Sequence, residues 1–312
     1  MNTWNRLAVL PLACALCVCA HADDPAVEPV EDELGWDEPG HGLRAISIGY
    51  ELIEVDGAFF RDVYISGDLG GRVRSESLVL GIDYGINDRW SLSASLPYVR
   101  RRYDGPFPHN PVILDPPNNT APALDNGKYH GNLQDYRFGV HYLREFGGFS
   151  VSPYLTAHLP SHDYPHFGNA AVGQNLWKLQ GGTSVSYLFE SLPLFLALDL
   201  SYTRVEETLG QNVDHWIADV SVGYIIASSV ALSVFVVEKD GNGSSFFPSR
   251  TNERWYQHDR MQPLEYRSGG ASIEWAVGEN HGLAVTWTTM LDGYTVQNID
   301  YAINMTLTRY FD

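Results

Sequence analysis

The sequence predicts an all-β protein, a transmembrane antiparallel up-and-down β-barrel of about 12 strands. Three observations predict it. Apolar residues recur with period two along most of the chain, the connections alternate between short and long, and aromatic residues mark the ends of the apolar rows.

The period comes first, because successive side chains of a strand point to opposite faces. Trp90, Leu92, Ala94, Leu96 and Tyr98 share one face, against Ser91, Ser93, Ser95 and Pro97 on the other. Leu194, Leu196, Leu198, Leu200 and Tyr202 oppose Phe195, Ala197, Asp199, Ser201 and Thr203. Trp216, Ala218, Val220, Val222, Tyr224 and Ile226 oppose His215, Asp219, Ser221 and Gly223, with Ile217 and Ile225 blurring that second face near its ends. The same reading places strands at 43–55, 73–86, 90–102, 133–144, 149–160, 174–189, 194–206, 214–226, 229–239, 264–277, 281–291 and 298–311. The count is even, as a single-chain bacterial barrel with both ends on one side requires. A soluble barrel would turn the apolar face inward and leave the Ser91, Ser93, Ser95 row outside; a barrel in lipid does the reverse.

Connections after the even strands are short: Asn87-Asp88-Arg89, 145–148, 190–193, Ala227-Ser228 and Gly278-Glu279-Asn280. Those after the odd strands are expected to be longer, notably 103–132 and 240–263. This is the asymmetry of an outer-membrane barrel, with short turns in the periplasm. The aromatics supply a length. Trp90 and Tyr98 are eight residues apart on one face, as are Trp216 and Tyr224. At ~3.3 Å per residue and a tilt of about 40°, eight residues give roughly 20 Å of height, near the ~25 Å apolar band between aromatic girdles. Tyr84, Trp177, Tyr187 and Tyr202 fit the same belts.

The N-terminal region reads as an address. An apolar run over 7–20 is too short to span a bilayer, and Ala20-His21-Ala22 has the small-x-small form of a signal-peptidase site. Residues 1–22 are therefore expected to be a secretory signal, 23–40 an acidic disordered tail, and 41–312 the barrel. All three cysteines (14, 17 and 19) fall in the signal, so the rest of the chain has no thiol for disulfides, thiolate metal sites or cysteine nucleophiles. The formal charge is -18, and losing Arg6 with the signal makes it -19. Such a surface repels nucleic acid. Asp23, Asp24, Glu28, Glu31, Asp32, Glu33, Asp37 and Glu38 crowd the tail without a Lys or Arg among them.

Period-two counting turns Asp83, Asp135, Arg137, His141, His158, Lys178, Asp199, Asp219 and Glu274 into the lumen. They are the candidate lining residues. Two readings stay open: a lined path for a solute, or opposite charges paired to fill a narrow interior. His158, His162 and His166 are spaced as zinc ligands would be on a helix, but Pro160 and Pro165 break any helix there, and no metal is expected. H-x-S, G-x-S-x-G, H-E-x-x-H and phosphate-loop motifs are absent, so neither catalytic nor cofactor-binding residues are assigned. Six prolines stiffen 103–132, which could fold into the mouth. Residues 240–263 mix Arg250, Arg254 and Arg260 with Phe246, Phe247, Trp255 and Tyr256, as either a packed cap or a grip on lipopolysaccharide phosphates or an aromatic solute. Pro97 and Pro153 lack the N–H a closed sheet needs, so they are expected at bulges or kinks, where a wall can open sideways.

The final row, Tyr301, Ile303, Met305, Leu307 and Phe311, resembles the C-terminal signal read by barrel-assembly machinery, with Arg309 interrupting it and Asp312 following it. Two stretches carry a family resemblance. Residues 80–99, LGIDYGINDRWSLSASLPYV, join a Tyr-Gly strand end, an Asn-Asp turn and a Trp-led strand ending Leu-Pro-Tyr; residues 154–189 run from Leu-Pro through a Gly-bearing loop into a strand. Over roughly 75–312 the chain resembles the outer-membrane transporters associated with meta-pathway phenol degradation. That resemblance implies a barrel and uptake of small hydrophobic or aromatic compounds. The expected function is a passive channel in the cell outer membrane, without a cofactor and not an enzyme. Its expected partners are lipid, lipopolysaccharide, the assembly machinery and a small-molecule solute. The alternative is a scaffold barrel that binds periplasmic partners and transports nothing.

Overall fold

A computed structural model describes residues 41–60, 63–109, 123–241 and 253–311. The expected signal and acidic tail lie outside the described residues. Twelve antiparallel strands form the wall: β1 (Gly42–Phe60), β2 (Arg72–Gly85), β3 (Trp90–Asp104), β4 (Asp135–Tyr142), β5 (Phe149–Pro160), β6 (Lys178–Leu188), β7 (Leu194–Val205), β8 (His215–Ala227), β9 (Val230–Gly241), β10 (Glu265–Ala276), β11 (His281–Tyr294) and β12 (Val296–Tyr310). Each pairs with the next, and β12 pairs with β1 to close the sheet. Closure leaves the wall without an edge and lets backbone groups bond each other rather than face lipid unsatisfied. Short strands Val63–Ile65, His130–Leu133 and Arg144–Phe146 extend the pairing of β1, β3 and β5.

The short turns have local causes. Asn87 Oδ1 accepts from the backbone N–H groups of Arg89 (2.9 Å) and Trp90 (3.1 Å), so the side chain imitates a turn and starts β3. Gly147, Gly148 and Gly278 supply the positive φ angles of two others.

The apolar rows face outward. Trp90, Tyr98, Trp216 and Tyr224 are 44%, 45%, 48% and 50% exposed, although they are large apolar groups, and Ser91, Ser93, Ser95, Asp199 and Ser221 opposite them are buried. A water-soluble barrel would invert this arrangement; this one presents its greasy side to lipid, as outer-membrane localisation requires. One belt joins Trp90 to Tyr142 (ring centroids 4.9 Å apart) and Phe149 to Tyr187 (4.5 Å), and the opposite belt joins Tyr202 to Trp216 (4.8 Å). Above the upper belt the outward face changes abruptly. Arg100 follows Tyr98, Glu76 lies beyond Leu78, and Arg74 bonds both Glu54 (2.8 Å) and Glu76 (3.1 Å). At the lower end, Arg309 points outward over the Phe311 ring, 5.1 Å from its centroid.

Several expected boundaries move. β1 runs on to Phe60, because Ala58–Phe60 pair with Val63–Ile65 above the lipid. β6 begins at Lys178 rather than 174, because 174–177 belong to a loop that buries Gln174 and Leu176. The connection expected at 292–297 is Thr295 alone, which turns the chain at φ 53°. The rule that every odd strand precedes a long loop fails there. Pro97 does sit at an irregularity: β4 carries an extra residue opposite it, and the Gln134 N–H donates to its carbonyl (2.9 Å). Opposite Pro153 the β4–β5 ladder is interrupted without a change of register.

Candidate functional site: a charged lumen under a loop plug

The inner rows carry the nine residues singled out from the pattern, and register sorts them into groups. Arg137 lies opposite His158, and His158 opposite Lys178, a basic row across β4, β5 and β6. Asp199 lies between Ser184 and Asp219 on β6 and β8, and both aspartates are 0% exposed. Two carboxylates facing each other in a dry wall are costly unless their charge is met. Asp199 accepts hydrogen bonds from Tyr154 Oη (2.9 Å) and Ser184 Oγ (2.5 Å). Lys239 stands diagonal to Asp219, two residues from its partner Val237. Asp83 lies opposite Ser93, whose hydroxyl is 3.0 Å from Nε2 of His141. Asp135 is drawn into the plug described below, and Glu274 sits apart between Ala231 and Ala284. Glu51, Arg101 and Lys239 also lie buried on inner rows. Counting from Gly49 and Ile53 would have found Glu51.

Aromatic side chains lie against this inner wall. A Cβ added at Gly223 would come within 1.6 Å of the Phe195 ring, so only glycine lets that ring rest on the β8 backbone. Half-buried inner residues gather toward the turn end of β1 to β6, including Ser47, Asp83, His141, Thr156 and Ser184, whereas the described inner residues toward the loop end are buried.

The closure is a plug made by the loop over 161–177. Its Tyr164 hydroxyl donates to Asp135 Oδ1, and its carbonyls at Ala171 and Val172 accept from Arg101 Nη1 (2.8 Å) and Gln134 Nε2 (2.9 Å). From above, Asp125 accepts the N–H groups of His109 (2.7 Å), Asn169 (3.1 Å) and Ala170 (2.8 Å). Burial pushes the Asp125 carboxyl up, but the His109 ring and these N–H donors outweigh it and hold the group below its ordinary range. The 3-10 turn His258–Met261 completes the plug, with Gly168 N–H donating to Asp259 Oδ2 (3.1 Å). The histidines at 158, 162 and 166 do not converge. His158 is in the wall, His162 bonds Ser161 (2.9 Å), and His166 packs edge-on to Tyr256.

Where the plug meets the wall, the inner face turns apolar. Ile53, Val55, Val73, Met290, Val296, Ile299 and Ala302 form one buried cluster with Leu124, Ala170 and Ala171 of the loops. The wall beside it is irregular. The β11–β12 ladder runs from His281–Arg309 to Thr288–Ala302, and no further residue pair toward Thr295 is in register among the described residues. A hydrogen bond from Thr289 Oγ1 to the Asp300 carbonyl (2.8 Å) bridges the two strands just past that point.

Residues 66–258 match the family described as "Putative MetA-pathway of phenol degradation". In structure the chain is similar to the COG4313 outer membrane channel from Pseudomonas putida F1, with a TM-score of 0.66 at 11% identity, over 87% of this chain and 96% of that one. It is also similar to the beta domain of the Bordetella autotransporter Brka, with a TM-score of 0.51 at 10% identity, over 86% of this chain and 100% of that one. At such identities the likeness is one of fold. No curated protein matches the sequence.

Proposed function

Since the chain belongs to the family described as "Putative MetA-pathway of phenol degradation", we propose that it is an outer-membrane channel through which small hydrophobic or aromatic solutes pass passively. The observation that carries this reading is the apolar cluster inside the mouth. Inner rows of a barrel that merely needed filling have no reason to abandon Ser and Thr for Ile53, Val73, Met290 and Ile299 at one level. Buried under Ala170 and Ala171, that surface becomes an apolar seat once the plug moves, and a small aromatic molecule can replace the contacts the plug gives up. The interrupted β11–β12 seam lies beside the seat and would let such a solute leave through the wall.

The same reading sets lipopolysaccharide phosphates against the outward guanidinium groups of Arg72, Arg74, Arg100 and Arg102, and the assembly machinery on β12. No step in it requires a catalytic group.

Cells or proteoliposomes carrying the protein should admit phenol faster than barrel-free controls, with no gain for a sugar of similar mass. Ile299→Asn, which makes the seat polar, should reduce the phenol rate while leaving assembly intact. Equal phenol rates with and without the barrel would sink the proposal. The contacts that hold the plug favour a second reading, a closed barrel that transports nothing, and that outcome would support it.

A further inference from the structure

The plug holds a cluster that the channel reading does not use. His109, from the loop between β3 and β4, meets His258 and Asp259, from the 3-10 turn before β10. The two Nε2 atoms are 3.2 Å apart, His258 Nε2 is 2.9 Å from Asp259 Oδ1, and His109 Nε2 is 3.7 Å from the same oxygen. The side chains are nearly closed off from solvent, at 14%, 6% and 8% exposure.

Hydrogen bonding behind the rings fixes what they present to one another. His258 Nδ1 lies 2.7 Å from the Trp255 carbonyl, which can only accept, so that nitrogen carries the proton. His109 Nδ1 lies 3.1 Å from Asp125 Oδ2, which can only accept, and 3.0 Å from Asn169 Nδ2, whose two protons also have Asp125 Oδ2 (3.0 Å) and the Phe107 carbonyl (3.4 Å) as acceptors. This ring too is a donor at Nδ1. Both Nε2 atoms therefore turn lone pairs toward one point, where a carboxylate oxygen joins them. Three electron-rich atoms packed this closely repel unless a proton or a metal ion lies between them. Imidazoles held through Nδ1 by a carboxylate and by a backbone carbonyl are also the arrangement that orients metal-binding histidines. Stacking of Trp255 on His258, with centroids 4.1 Å apart, and the Gly168 N–H on Asp259 Oδ2 lock the remaining freedom.

The spacing suits a particular ion. Tetrahedral zinc with bonds of ~2.0–2.1 Å holds its ligand atoms ~3.3–3.4 Å apart. The three observed separations bracket that value, and one point lies roughly 2.0–2.1 Å from all three atoms, a little out of their plane. Two imidazoles and one carboxylate select a borderline transition metal over calcium or magnesium, which prefer oxygen ligands.

We propose that His109 Nε2, His258 Nε2 and Asp259 Oδ1 form a binding site for one divalent transition-metal ion, best matched by Zn²⁺, as its three ligands among the described residues. The ion clips three loops together, because Asp125 and Gly168 bring in the segments behind the ligands. Sequence reading expected no metal at His158, His162 and His166 and did not single out this group, whose two histidines are 149 residues apart in the chain.

The test uses tag-free barrel folded in detergent, with heat-modified gel mobility as the check of assembly. Isothermal titration with Zn²⁺ should show one saturable site, and Ca²⁺ should show none. Bound Co²⁺ should give the visible bands of a four-coordinate ion. The double substitution H109A/H258A should weaken Zn²⁺ binding by more than about 100-fold, and Asp125→Asn, at the carboxylate behind the His109 ring, by about 10- to 100-fold. His162→Ala, on an exposed loop histidine, should change nothing. Zn²⁺ should also slow proteolysis within 161–177 in the parent and not in H109A/H258A. A parent protein with no saturable Zn²⁺ site overturns the proposal. So does equal affinity in an assembled H109A/H258A barrel, or a shared proton as the only occupant, seen as binding heat that vanishes for every metal tried.

Discussion

The Tyr164 hydroxyl donates its proton to Oδ1 of Asp135, so a loop residue is tied to the inner wall of β4. Tyr164 is 1% exposed and its oxygen also accepts the Asn175 N–H (3.1 Å), which makes it the hub of the plug's lower side. Tyr164→Phe keeps the ring and removes both bonds. Leaving buried partners unsatisfied costs about 1–3 kcal/mol. The variant should assemble normally and be cut faster within 161–177 by added protease. An unchanged cutting rate would show that Asp135 does not hold the loop.

Gly168 sits at φ 124°, where L side chains are strained, and an added Cβ would lie 3.2 Å from Asp125 Oδ1. Gly168→Ala should weaken the plug by about 1–3 kcal/mol, the scale of holding one residue in a disfavoured backbone region. Faster hydrogen exchange at the Asn169 and Ala170 amides, which bond Asp125, checks this; the same rates as the parent would contradict it.

Acid should loosen the plug over a defined interval. Burial pushes the His166 imidazole down from 6.5 to about 4, and Arg260 adds to the effect, against smaller opposing pulls from Asp259 and Asp163. A folded value below the unfolded one means that neutral His166 favours the closed loop above pH 6.5, and that this contribution fades as pH falls toward about 4. Loop proteolysis should therefore rise across that interval and level off below it. His166→Gln, which cannot titrate, should flatten the profile. A variant as pH-dependent as the parent would point to another group.

Leu198, midway along β7 between Val220 and Val185, faces lipid at 43% exposure. Leu198→Arg should destabilise the barrel in vesicles by about 2–4 kcal/mol, the cost of a charge near the bilayer midplane. Ala197→Ser, on the inner row beside it, should cost far less. Urea unfolding from lipid measures both, and equal effects would mean that the two faces had been reversed.

Much of the wall is legible because lipid and lumen impose opposite demands on alternate residues. Leu194 to Tyr202 and Trp216 to Ile226 can satisfy both only as strands, and the turns at Asn87 and Gly278 need their own residues. The limits of that logic show at the ends. Beyond the lipid the apolar rule lapses while hydrogen bonding continues, so β1 reaches Phe60 and β11 reaches Tyr294 unseen. Leu176 and Gln174 look like strand residues because they too are buried, but inside the plug. The inner charges could be placed on a face, yet not matched to partners: Asp135 finds Tyr164, and Asp199 finds Tyr154, across distances in sequence that no local pattern encodes. The His109–His258–Asp259 group is the extreme case.

Single-channel recording in a planar bilayer tests most directly whether this barrel is a channel closed by a movable plug. The parent should show discrete current steps separated by long closures, and Tyr164→Phe and Gly168→Ala should lengthen the open periods without changing the step size much. Phenol added to the bath should interrupt the open current, whereas glucose should not. Silent membranes for the parent and for both loosened variants, with assembled protein present, would contradict the account.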